Sequence, residues 1–146
     1  MKRELIQNVK VQPYTSGDAL NREGYLSGVL GVSLGAASGS PTAISLKVSV
    51  TECDTEAGSY TAVKDKNVFV DQTAAADGSI TIPANKAGNE LHNIDLDLVG
   101  CKPFVKITVT ANCSGGSSPS CAATCAIALG DTREQPEKST AAPVGE

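Results

Sequence analysis

Apolar and polar residues alternate along most of this chain with a period of two, and almost nowhere with the period of a helix. Ile44, Leu46, Val48 and Val50 fall on one side of an extended segment, and Ser45, Lys47, Ser49 and Thr51 on the other. Ile94, Leu96 and Leu98 alternate in the same way with Asp95 and Asp97, and Val105, Ile107 and Val109 with Lys106, Thr108 and Thr110. Each pattern predicts a strand with one dry and one wet face. Shorter candidates are 5–11, 61–63, 68–70 and 79–82, the last closed by Pro83, which cannot donate to a central ladder. Turn signals separate them at Ser16-Gly17-Asp18, Glu56-Ala57-Gly58, Asp77-Gly78 and Lys86-Ala87-Gly88-Asn89.

Two longer segments share one layout, an apolar strand, a Gly/Ser/Pro loop and a second apolar strand. In the first, 25–34 leads through a loop containing Ser38, Gly39, Ser40 and Pro41 into 44–51. In the second, 104–110 leads through Gly115, Gly116, Ser117, Ser118 and Pro119 into 122–129. Both read as hairpin-like units, and their loops are the candidate contact surfaces. Gly28, Gly31 and Gly35 predict a bulge, strong curvature or close backbone contact in the first unit. The low-charge stretch 29–37 would aggregate as a bare edge, so either a partner subunit or the protein's own core must cover it.

About eight or nine short strands without helical patterns predict an all-β fold, an antiparallel β-sandwich of jelly-roll-like form. A parallel sheet would need crossover helices that the pattern lacks. Residues 1–14 read as an N-terminal arm with a candidate first strand, 15–131 as the sandwich, and 132–146, which lacks apolar alternation, as an extended or disordered tail.

At 146 residues the chain is of single-domain size. A net charge of -4 with no Lys/Arg cluster argues against nucleic acid as a partner, and an aromatic content of 3% leaves few stacking platforms. No apolar run approaches the roughly eighteen residues of a membrane span, and the N-terminal segment turns polar too soon for a signal peptide. No membrane partner is expected, and synthesis is expected in the cytoplasm.

The five cysteines, Cys53, Cys101, Cys113, Cys121 and Cys125, form no CxxC pair, so a structural zinc site is not expected. Four of them share parity with inward positions such as Val105 and Ile127, which reads as buried free thiols. The other reading is a Cys113–Cys121 disulfide across the mouth of the second loop. Asp95 and Asp97 sit about 7 Å apart on one strand face, where a metal or an acid/base pair is conceivable, but this alternation is also ordinary outward polarity. The single His92 has no accompanying Gly-x-Ser-x-Gly nucleophile motif, and the Gly/Ser loops lack the Gly-Lys-Ser/Thr ending of a phosphate cradle. No catalytic, metal or cofactor-binding residue is expected, and the chain does not read as an enzyme.

Three stretches carry a resemblance: 24–30 with Ser38-Gly39-Ser40-Pro41-Thr42; 49–63, running from Ser49-Val50-Thr51-Glu52 to Tyr60-Thr61-Ala62-Val63; and 96–109 with the closing Ala128-Leu129-Gly130-Asp131. Together they resemble small structural virion proteins of tailed bacteriophages in which a jelly roll or related sandwich decorates or cements the capsid. The resemblance implies a protein made in the host cytoplasm that assembles on the capsid surface as a homo-oligomer. Its partners would be the major capsid protein and itself, and it would bridge capsid subunits. A tail or head-to-tail joining component, and a host-surface binding module, are the alternatives. The resemblance is to scaffold segments and carries no catalytic position.

Overall fold

The computed structural model describes residues 8–132. Nine strands run in order β1 (Val9–Tyr14), β2 (Ala19–Asn21), β3 (Tyr25–Leu34), β4 (Ala43–Cys53), β5 (Thr61–Ala62), β6 (Ser79–Ala84), β7 (Leu91–Asp97), β8 (Phe104–Ser114) and β9 (Ala123–Thr132). They form two sheets, one ordered β1-β9-β3-β7 and the other β2-β8-β4-β5, with β6 also on β4; every pairing is antiparallel. The protein is all-β, as the alternation predicts. Leaving aside the two-residue β5, the couples β1·β9, β2·β8, β3·β7 and β4·β6 nest one inside the next. That nesting is an antiparallel ribbon folded back on itself and wrapped, the jelly-roll arrangement.

The two repeated units differ from the expected hairpins. β3 and β4 lie in different sheets, as do β8 and β9, so each unit is an arch that crosses the sandwich. The arches pair crosswise: β3 with β9 from Tyr25↔Thr132 to Leu34↔Ala123, and β4 with β8 from Ala43↔Ser114 to Cys53↔Phe104. The physical reason is burial. Each arch carries two apolar faces, and stacking the sheets makes Leu30, Val32, Leu46, Val48, Ile107 and Ile127 all but inaccessible, which one flat hairpin could not do. β3 is flanked on both sides, so the stretch 29–37 is no bare edge, and Leu30, Val32 and Leu34 enter the protein's own core. A Cβ at Gly28 would stand 3.2 Å from the Ala128 carbonyl, so that glycine marks a close backbone approach.

Other boundaries shift modestly. The first strand begins at Val9 and runs to Tyr14; its Pro13 is tolerated because β1 is an edge. Residues 1–7 and 133–146, which include half of the predicted arm and nearly all of the predicted tail, lie outside the described residues. The predicted strand 68–70 is a strap. It bridges Phe69 to Leu96, with the Val70 amide donating to the Asp95 carbonyl at 3.1 Å and the Asp97 amide to the Val68 carbonyl at 2.8 Å. β2 is too short to have shown a period.

Two buried polar devices brace the sandwich. The Tyr14 hydroxyl, buried between the sheets, accepts the Ile107 amide of β8 at 2.9 Å and donates to the Asp18 carbonyl. The buried Glu52 accepts the amides of Lys64 and Lys102, each at 3.2 Å. Arg22, also buried, donates from Nε to the Lys102 carbonyl at 3.1 Å and from a terminal nitrogen to the Cys101 carbonyl. The turn between β7 and β8 is thereby pinned by residues at the ends of β4 and β2, both of the same sheet. On the rim, Asp77 is drawn down to about 2 first by the Ser79 hydroxyl and then by Lys47, which closes the turn into β6.

Burial pushes the Tyr14 hydroxyl from 10.0 up to about 12, and burial followed by the Glu52 charge pushes the Cys101 thiol from 9.0 up to about 12. Both protons are held more tightly in the folded than in the unfolded chain. Stability is therefore full below pH 9 and falls as pH rises towards 12. Thermal melts in reductant should show Tm dropping between pH 8.5 and 11, with Cys101→Ala flattening the lower part of that slope; a level profile in the wild type would refute the assignment. Glu52→Ala, which strands two amides, should cost at least about 2 kcal/mol in urea unfolding, and Glu52→Gln distinctly less.

Candidate docking face and loop latch

The Gly/Ser/Pro loops predicted as contact surfaces contact each other. Ser38 and Ser120 exchange backbone hydrogen bonds at 2.9 and 3.1 Å, their hydroxyls meet at 2.6 Å, and the Ser117 amide donates to the Gly39 carbonyl at 2.9 Å. The loops form a latch that holds both arches together at one end of the sandwich. Glycine is required at its crossing: Gly39 and Gly116 have φ of 77° and 65°, and a Cβ on Gly116 would meet the carbonyls of Gly39 and Ser40. Ser40, Gly115, Ser117 and Ser118 stay exposed, Pro119 is half-buried, and Pro41 is buried, which removes Pro41 from any outward contact surface.

All five cysteines are free thiols, Cys53 and Cys101 buried and the other three half-buried. Cys113 stands opposite Ile44 and Cys125 opposite Val32, both inward positions, as their parity implies. Cys113 and Cys121 bracket the latch without a bond between them, and the Cys121 thiol donates instead to the Gly35 carbonyl at 3.2 Å. Burial, then the neighbouring Cys113, raises the Cys121 thiol above its ordinary value.

His92 Nε2 lies 2.9 Å from the Glu90 carboxylate, within hydrogen-bond distance. The Asn85 amide and then His92 hold that carboxyl below its usual range. Asp95 and Asp97 do share one outward face, opposite Val29 and Ser27. Among the described residues no group of three or more His, Cys, Asp or Glu side chains is placed to hold a metal ion.

What strand-by-strand reading missed is the difference between the two outer faces of the sandwich. On the β4/β8 sheet, outward pairs are Ser45↔Asn112, Lys47↔Thr110, Ser49↔Thr108 and Thr51↔Lys106, a hydroxyl-rich surface. Its lysines are occupied, Lys47 by Asp77 at 3.2 Å and Lys106 by the ring of Tyr60 at 4.2 Å. On the other sheet the outward rows are Val11–Ala128–Val29–Asp95, Val9–Gly130–Ser27–Asp97, Pro13–Ala126–Gly31–Asn93 and Thr124–Ser33–Leu91. Across three of its four strands this face is aliphatic or small, and between residues 9 and 131 none of its outward positions is Lys or Arg. Val11 is 72% exposed and Leu91 66%, so the apolar surface is open to water. Such a face favours docking: aliphatic area gains on leaving water, and Ala, Gly and Pro lose no side-chain entropy when immobilised. The missing signal was the register, since only pairing places Val11, Ala128 and Val29 in one row.

The chain matches no family model, no curated protein and no solved structure.

Gly116→Ala should destabilise the protein by about 2 kcal/mol or more, since it adds both αL strain and a clash with backbone. Ser117→Ala, which keeps the amide that binds Gly39, should stay within about 0.5 kcal/mol of wild type. Equal losses for both in urea unfolding would show that the loops are not latched.

Proposed function

We propose that this chain is a structural virion protein that decorates and cements a bacteriophage capsid, bridging capsid protein subunits from the capsid surface as a homo-oligomer. The observation that carries the reading is the asymmetry of the sandwich: one outer face is hydroxyl-rich and carries lysines, the other is mostly small and aliphatic, with hydroxyls at Ser27, Ser33 and Thr124 and no Lys or Arg at its outward positions. A wall component needs that division, with one side against the lattice and one side out. The jelly-roll arrangement supports the reading by analogy, since viral capsid domains use it, as do lectins and cupins. The sequence resemblance to phage decoration proteins points the same way.

Magnitudes fit an assembly role. Four strands about 4.8 Å apart and some six residues long make a face of roughly 400 Å², about half of one partner's share of a standard interface. One such contact is weak, and repetition on a lattice makes it strong. No chemistry is asked of the protein, only a rigid platform, and the latch and the buried Glu52 and Arg22 pin supply rigidity at opposite ends.

Mass spectrometry of purified virions should find the protein in copy numbers comparable with the major capsid protein, and purified protein should bind undecorated capsids. A few copies per particle would overturn the reading in favour of a tail or head-to-tail joining component. Binding to intact host cells but not to capsids would overturn it in favour of a host-surface module.

A further inference from the structure

The smooth face deepens at its β7 side into a groove of about 620 Å³. One wall is the strap: Phe69 is buried and anchors it, while Val70, next along, is 58% exposed. The other apolar element is Val99 in the turn after β7, 62% exposed. Between and beside them stand Asp95, Asp97 and Asp131, the last accepting the Ser27 hydroxyl at 2.6 Å. A second hollow of about 400 Å³, also bordered by Val70 and Asp97, adds Asp71. Neither hollow has a Lys or Arg in its lining.

This combination is selective. Exposed valines argue for an aliphatic occupant, and carboxylates without a cation between them argue against an acidic one. Asp95 and Asp97 project from one side of a strand, about 7 Å apart, which is also the spacing of side chains i and i+2 on an extended peptide. The backbone edge of β7 is already taken by the strap at Asp95 and Asp97, so an occupant lies across the face and does not add a strand. Long basic side chains suit such a place, since their stems pack on apolar surface while the charged heads reach carboxylates.

We infer that the groove between the strap and the β7–β8 turn docks an extended protein segment with Lys or Arg at alternate positions interleaved with aliphatic residues. The partner's cations meet Asp95 and Asp97, and the aliphatic stems of those basic side chains cover Val70 and Val99. This rests on the proposed docking role in one respect only: it names the partner chemistry of the face that would meet the capsid lattice. Charge complementarity sets the choice of occupant, and it makes docking faster at low ionic strength.

The test uses the full chain with two synthetic peptides, acetyl-Lys-Val-Arg-Val-Lys-amide and its all-Glu counterpart, followed by amide chemical shifts and calorimetry. The basic peptide should bind, with shifts confined to 26–27, 69–72, 95–99 and 131, and should weaken at least about tenfold in 0.5 M salt. The acidic peptide should not bind. Asp95→Asn/Asp97→Asn, which keeps the strand and its size, should weaken the basic peptide about tenfold with an unchanged Tm, and Val70→Ser should weaken it separately. Shifts elsewhere, or no binding at millimolar peptide, would overturn the inference. So would the same shifts produced by calcium alone, self-association by sedimentation that involves this groove, or peptide binding that appears only when residues 1–7 are removed. Particle binding separates the two levels. Wild type and the double Asn variant binding capsids equally would sink the groove and leave the capsid reading standing. Peptide binding by a protein that never binds capsids would do the reverse.

Discussion

The crosswise pairing of the two arches is the constraint on which the rest of the molecule depends. β3 bonds to β9 and β4 to β8, so partners are joined across most of the chain and neither arch has a finished sheet of its own. Once those ladders form, the core is enclosed, β7 and β6 have strands to add to, and the loops at the arch tips come into range of each other. Contacts of such sequence separation are entropically costly to nucleate, so the fold is held less by any turn than by the joint burial that rewards all of them. The latch and the Glu52 and Arg22 pin act on this frame from its two ends.

Strand positions and their inward sides were legible because a pleated strand with one buried face must alternate, and 44–51, 94–98 and 104–110 do so without interruption. Partner choice was not legible. An apolar strand, a Gly/Ser/Pro loop and another apolar strand satisfy local pattern equally well as a hairpin or as an arch, and only the need to cover both faces decides between them. The repeated layout was nevertheless a true signal, since the two matching units became each other's partners. Glu52 and Arg22 escaped notice for a related reason: a charged residue at a strand end looks like ordinary rim polarity until the fold buries it against backbone groups from another loop. Val68 to Val70 looked like a strand and is nearly one, stopped short by making a single bridge.

The candidate site divides along the same line. Asp95 and Asp97 could be placed on a common face from parity alone. Val11, Ala128 and Val29 could not be placed together, because they come from three strands whose neighbours are set by the crosswise pairing. The loops singled out as contact surfaces prove to be occupied mainly with one another, which leaves the flat of a sheet as the broader exposed surface. A sheet face made largely of Val, Ala, Gly, Pro and small hydroxyl residues offers few distinguishing features, and the carboxylates and the strap stand at its border.

The position of β9 has a consequence for biosynthesis. It lies between β1 and β3 and supplies Ala126, Ala128 and Gly130, the middle of the smooth face, yet among the described strands it is the last to leave the ribosome. Until then β1 has no partner and the rows Val11–Ala128–Val29 do not exist. A chain broken off before β9 therefore lacks the centre of that face as well as the ladders that close the core. That face arises in one step, when β9 takes its place between β1 and β3.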